Sequence, residues 1–143
     1  MRLAVALLCL GSAACAAPPE AGRPEAGRLR PPDAVGCARD HLTAYVGRVV
    51  AYQRGPRSLS LRIRTDWDTT EEVRLSAPEG GTLARRFLLD GAPFGDGDWA
   101  AIETGPGRLR PSMRAAAWVC DDGSPPLIDW RPGTGGPASS APR

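Results

Sequence analysis

Lysine is absent from this chain and histidine occurs once, at His41, so the 18 basic residues are all arginine. Against 16 acidic residues they leave a net charge of only +2, with the two signs interspersed. That balance provides no cationic stripe of the kind a dedicated nucleic-acid binder uses, and nucleic acid is not an expected partner. One imidazole, in the polar stretch Ala38-Arg39-Asp40-His41, reads as a surface or capping residue rather than a catalytic base. There is no G-x-S-x-G elbow, no phosphate loop, no paired His/Cys metal spacing and no C-x-x-C. No apolar run is long enough to cross a bilayer as a permanent helix. The expectation is a non-enzymatic protein with no catalytic residues, no metal and no cofactor. All-arginine usage beside abundant Ala, Gly and Pro is the mark of a GC-rich coding sequence, and no function is read into it.

The first residues carry the clearest signal. MRLAVALLCLGSAACAA has a short basic start at Arg2, an apolar stretch from Leu3 to Leu10, and then small side chains that suit a signal peptidase. Residues 1–14 are therefore expected to be a signal peptide. Ser12-Ala13-Ala14-Cys15 resembles the bacterial lipobox, with Ser12 standing where leucine is usual. The resemblance implies that the Cys15 sulfur carries diacylglycerol and anchors the mature chain to a membrane. Ala16 lacks the Asp that favours inner-membrane retention, so the implied location is the outer membrane or periplasm as a lipoprotein. A soluble periplasmic or secreted protein is the alternative.

Residues 15–35 are rich in Pro, Ala, Gly and charge, and residues 132–143 are similar; neither has the apolar content to offset its ordering entropy. They read as a disordered tether and a disordered tail around one domain over residues 36–131. Cys9 falls in the signal and Cys15 at its end, which leaves Cys37 and Cys120 as an expected disulfide in an oxidising compartment, the alternative being two separate buried thiols.

Within the domain the pattern is short strands separated by turn signals. Thr43–Gln53 is β-branched and aromatic, with Gly47 as a point of bulge or bend. Residues 58–65 alternate strictly, Leu59, Leu61 and Ile63 on one face and Ser58, Ser60, Arg62 and Arg64 on the other. A hairpin with residues 71–76 is expected to pair Ile63 with Val73, Leu61 with Leu75 and Arg64 with Glu72. A short strand ends at Asp90-Gly91, a brief helix with an aspartate N-cap carries Trp99 and Ile102, and two more strands cover residues 110–120 and 126–130. The order of three strands, an irregular segment with a helix and two strands resembles the OB barrel. The expected fold is all-β, mostly strand with one short helix, as a five- to six-stranded OB-like barrel with Cys37 and Cys120 closing one end.

Candidate binding residues come from the aromatics. Trp67, beside Arg62 and Arg64 on the outward face, suits a platform for oligosaccharide, peptide or another ligand, and Trp130 beside Arg131 shows the same juxtaposition. Trp99 and Trp118 sit in apolar surroundings and read as core. Asp66, Asp68 and Glu71 offer oxygen ligands, but without the spacing of a calcium loop they read as a solvated hairpin tip. The function expected is an exported, lipid-anchored envelope protein whose partner is an envelope protein or saccharide; the alternative is a ligand binder using Trp67, Arg62 and Arg64. A secreted hydrolase built on carboxylates brought together by folding is third.

Overall fold

The computed structural model describes residues 29–133. The expected signal peptide, Cys15 and most of the expected tether and tail lie outside them. The domain contains β1 (Leu42–Arg54), β2 (Ser58–Thr65), β3 (Thr70–Ser76), β4 (Phe87–Leu89), β5 (Ala92–Pro93), α1 (Trp99–Ile102), β6 (Glu103–Gly105), β7 (Arg108–Leu109), β8 (Arg114–Cys120) and β9 (Leu127–Arg131). It is mostly β with one short helix, as the alternating strands predict. Asp98 precedes α1 without capping it; its carboxylate accepts the Gly95 N–H at 2.8 Å instead.

The expected barrel does not form. Seven strands make one open sheet in the order β3-β2-β1-β8-β9-β4-β5, and β6 and β7 form a separate hairpin. Closure of a five-stranded barrel needs the free edge of β9, and here β4 occupies that edge in parallel, Phe87, Leu88 and Leu89 facing Ile128, Asp129 and Trp130. The chain leaves β3 through Ala77-Pro78 and the Gly80-Gly81 turn, so β3 stays at the opposite edge. Strand order in a sequence does not reveal which of two candidate segments takes an edge.

The β2–β3 register is also two residues tighter than the expected one. Leu61 faces Val73, Leu59 faces Leu75, and Arg62 rather than Arg64 faces Glu72. The cause is local. Asp68 adopts φ 61°, its N–H reaches the Thr65 carbonyl at 3.0 Å, and Thr65 N–H closes on the Thr69 carbonyl at 2.8 Å. This three-residue loop with a left-handed last residue shortens the connection, and Asp tolerates that conformation better than most residues. Because the shift is even, the same side chains still face the core.

β1 is shared between two neighbours. Its first half pairs with β8 through Leu42–Arg48, its second with β2 through Gly47–Arg54. Gly47 sits at the handover and packs directly on β2: a Cβ there would lie 2.0 Å from the Arg64 carbonyl oxygen. Val50 is the extra residue of a bulge between Val49 and Ala51. The main core lies on one face of the sheet and gathers Leu59, Leu61, Ile63, Val73, Leu75, Phe87, Ile102, Met113, Ile128 and Trp130. A smaller cluster of Leu88, Ala116, Trp118 and Leu127 is buried with Val35, Leu42 and Val46 packed on it. Val35 belongs to the segment ahead of β1, which the Cys37–Cys120 disulfide, with Cα atoms 6.1 Å apart, ties to the end of β8.

Candidate functional site

Trp67 stands at the tip of the β2–β3 hairpin with 89% of its surface exposed. Its backbone is held: Thr65 Oγ1 accepts the N–H groups of Trp67 and Thr69 at 3.3 and 3.2 Å and shares a 2.8 Å bond with the Thr69 hydroxyl. A fixed loop thus presents a free indole. Arg62 and Arg64 lie exposed on the outer face of β2 below it, and Arg64 Nη2 reaches Asp68 Oδ1 at 3.2 Å. The structure brings the three predicted residues onto one hairpin.

Folding adds three arginines that strand-by-strand reading does not connect. Arg64 on β2 faces Arg48 on β1, Arg48 faces Arg114 on β8, and Arg114 faces Arg131 on β9. Directly opposed residues share a face, so four guanidinium side chains form one row across four strands, roughly 14 Å at the usual strand spacing. Opposed like charges repel, and aspartates counter three of them: Asp68 beside Arg64, Asp66 bonded twice to Arg114 Nη2 at 2.6 and 2.8 Å, and Asp129 beside Arg131 at 3.0 Å. Arg48 has no acidic partner among the described residues. With Val50, itself exposed, Arg48, Arg64 and Arg114 border an open depression. The signal for the row was an outward arginine on each strand, but only the register aligns them.

The acidic tip is engaged by arginine: Asp66 and Asp68 both bind guanidinium groups. Trp130 is not a platform. It is fully buried, edge-on to Tyr52 and Phe87 with ring centroids 6.1 and 5.6 Å apart, because Ile128 and Trp130 point into the main core while Asp129 and Arg131 point away from it. Trp118 is buried in the smaller cluster, and Trp99 packs partly buried on the main one. The indole N–H groups of Trp118 and Trp130 have no acceptor among the described residues. His41 is on the surface with Nδ1 2.9 Å from Asp121 Oδ1.

Two buried carboxylates are already committed. Glu103 receives Arg54 Nε at 2.7 Å, Arg54 Nη2 at 2.8 Å and the Tyr52 hydroxyl, while the Arg54 guanidinium stacks 4.3 Å from the centre of the Trp99 ring. Burial pushes the Glu103 carboxyl up, but the hydrogen bonds from Arg54 and Tyr52 outweigh it and hold the group below its ordinary range. Tyr52 is raised above its ordinary value by burial first, then by its hydrogen bond to Glu103 and by the Glu103 charge. Asp129 accepts the Gly91 N–H at 2.9 Å besides pairing with Arg131. These arrangements join β1 to β6 and β9 to the β4–β5 turn, and they read as structural.

No family model matches the chain, and searches of curated proteins and of solved structures likewise find no significant match. No helix among the described residues is long and apolar enough to cross a membrane. What the fold and surface define is a disulfide-bonded, mostly β domain with an open sheet and an arginine-lined outer face.

Proposed function

We propose that this chain is an exported, non-catalytic envelope protein, lipid-anchored through Cys15, whose domain works by binding through the face that carries Trp67, Arg62 and Arg64. The exposure of Trp67 on a hydrogen-bonded tip carries this reading. A large aromatic held in solvent gives nothing to its own fold and suits stacking on a sugar ring or an apolar side chain of a partner. The Cys37–Cys120 bridge supports export, since such bridges persist in oxidising compartments. Three of the four aligned arginines already have aspartate partners, which weakens attraction for a phosphate chain and favours a saccharide or protein surface over nucleic acid. Both buried carboxylates, Glu103 and Asp129, are held by arginine, so neither supports a hydrolase reading.

Two measurements test the proposal separately. Wild-type protein is expected in the membrane fraction and Cys15→Ala in the soluble fraction; a wild-type protein that is soluble removes the anchor. Titration with oligosaccharides and cell-wall fragments is expected to change Trp67 fluorescence, and Trp67→Ala is expected to abolish binding while leaving the fold intact. Equal binding by Trp67→Ala removes this face as the contact surface.

A further inference from the structure

The two edges of the main sheet are unlike. β5 is two residues long and contains Pro93, which has no N–H to offer, so that edge is closed to a further strand. β3 is seven residues long, holds neither Pro nor Gly, and keeps an unbroken register with β2 from Thr70 to Ser76. Among the described residues it pairs with β2 alone.

The backbone groups of β3 divide between its two sides. At one end of the hairpin Thr65 N–H bonds the Thr69 carbonyl, and at the other Ala77 N–H bonds the Arg57 carbonyl, each at 2.8 Å. By the alternation of an antiparallel ladder, the hydrogen-bonded pairs between them are Ile63 with Glu71, Leu61 with Val73 and Leu59 with Leu75. The N–H and C=O groups of Thr70, Glu72, Arg74 and Ser76 therefore point away from β2, toward the free edge.

Charge on an edge ordinarily repels a second strand. Here the two signs are placed symmetrically about Val73, so the strand complements itself. In antiparallel pairing about Val73, Glu72 falls opposite Arg74 of the second copy, Thr70 opposite Ser76, Glu71 opposite Leu75, and Val73 opposite its own counterpart. Because Arg62 already faces Glu72, each charged rung alternates in sign through Arg62, Glu72 and the second Arg74. Within one chain Arg74 Nε reaches Glu72 Oε1 at 2.7 Å, which leaves Glu72 Oε2 and the Arg74 Nη groups uncommitted among the described residues. A slip of one residue would set outward backbone groups against inward ones. A slip of two would oppose Glu72 to Glu72 or Arg74 to Arg74.

We propose that the free edge of β3 is a self-association surface, on which a second copy of this chain pairs antiparallel about Val73 and joins the two seven-stranded sheets into one. The two-fold axis stands perpendicular to the sheet, so both copies present their outer faces on the same side. One strand pair is a smaller contact than the roughly 1,200 Å² of a stable interface, so the dimer is weak and reversible. Neither Trp67 nor the lipid anchor is needed for it.

The test is sedimentation equilibrium of the full chain carrying Cys15→Ala, which removes any lipid, between about 10 μM and about 1 mM. The mean mass is expected to rise from monomer toward dimer. Arg74→Glu is expected to weaken association at least about tenfold, since two cross-strand pairs change from opposite to like charge. Glu72→Arg combined with Arg74→Glu restores opposite charges across the edge and is expected to recover the dimer, which a folding defect could not do. Amide exchange identifies the surface: the Glu72 and Arg74 amides are expected to slow as concentration rises, while those of Val73 and Leu75, already bonded to β2, stay unchanged. A wild type that remains monomeric leaves the edge to an extended segment of some other protein and overturns the proposal. Undiminished association in Arg74→Glu, or no recovery in the double variant, overturns it as well.

Discussion

The guanidinium of Arg54 grips the carboxylate of Glu103 through two nitrogens, at 2.7 and 2.8 Å, with the Glu103 side chain only 5% exposed. Removing one partner strands the other charge in a poorly solvated place. Arg54→Met is expected to lower unfolding free energy by about 3 kcal/mol. The triple replacement Tyr52→Phe, Arg54→Met and Glu103→Leu is expected to lose less than Arg54→Met alone, because no buried charge remains. Urea denaturation followed by far-ultraviolet circular dichroism measures both.

The same group sets a pH dependence at each end of the scale. Glu103 is held below its ordinary pKa in the folded protein, so its contribution is complete above about pH 4.3, the unfolded value, and is lost as pH falls further toward the folded value. Tyr52 is shifted the other way, so its contribution is complete below about pH 10 and is lost as pH rises beyond it. Stability measured against pH is expected to show both limbs. Glu103→Gln should flatten the acid one and Tyr52→Phe the alkaline one.

Gly47 is required by contact rather than by dihedral freedom. The Cβ of an alanine would lie 2.0 Å from the Arg64 carbonyl oxygen and 2.7 Å from the Thr65 Cα, both backbone atoms that cannot step aside. Gly47→Ala is expected to cost about 3 kcal/mol, the upper part of the overpacking range, by parting β1 from β2. Amide exchange is expected to rise first at Arg64 and Thr65.

The Cys37–Cys120 bridge spans 83 positions of sequence. Restricting so long a loop in the unfolded chain corresponds to about 4 kcal/mol in the chain-entropy account. The double variant Cys37→Ala, Cys120→Ala is expected to show a loss of that order in the unfolding free energy measured by urea denaturation. The Cys120→Ala single variant should lose a similar amount, since either change opens the loop.

Much of the architecture was legible in residue pattern. Alternation in SLSLRIRT marked β2 and its inward set, and counting cysteines isolated Cys37 with Cys120, whereas the bulge expected at Gly47 falls three residues later, at Val50. The candidate surface was legible in part. Arg62, Arg64 and Trp67 are neighbours in sequence and share a hairpin, whereas Arg48, Arg114 and Arg131 join Arg64 only through registers that span three strand pairs. The hairpin register differs by two residues from the one the alternation predicts because it depends on a left-handed Asp68, a conformation that composition does not announce. Trp130 is buried rather than exposed for a related reason. Its arginine neighbour in the chain points to the opposite face, and only the packing shows which face is buried.

Sequence alone determined the strand class, the inward and outward faces of β2 and β3, and the cysteine pair, since each follows from local chemistry or simple counting. Tertiary structure decided that the sheet stays open, because β4 and β3 compete for the free edge of β9 and a connection of ten residues, 77–86, settles the competition in favour of β4. It also decided that Arg54 meets Glu103 across 49 positions and that Arg64, Arg48, Arg114 and Arg131 align in one row. Those meetings depend on the summed geometry of several registers, a quantity that no short window of sequence contains.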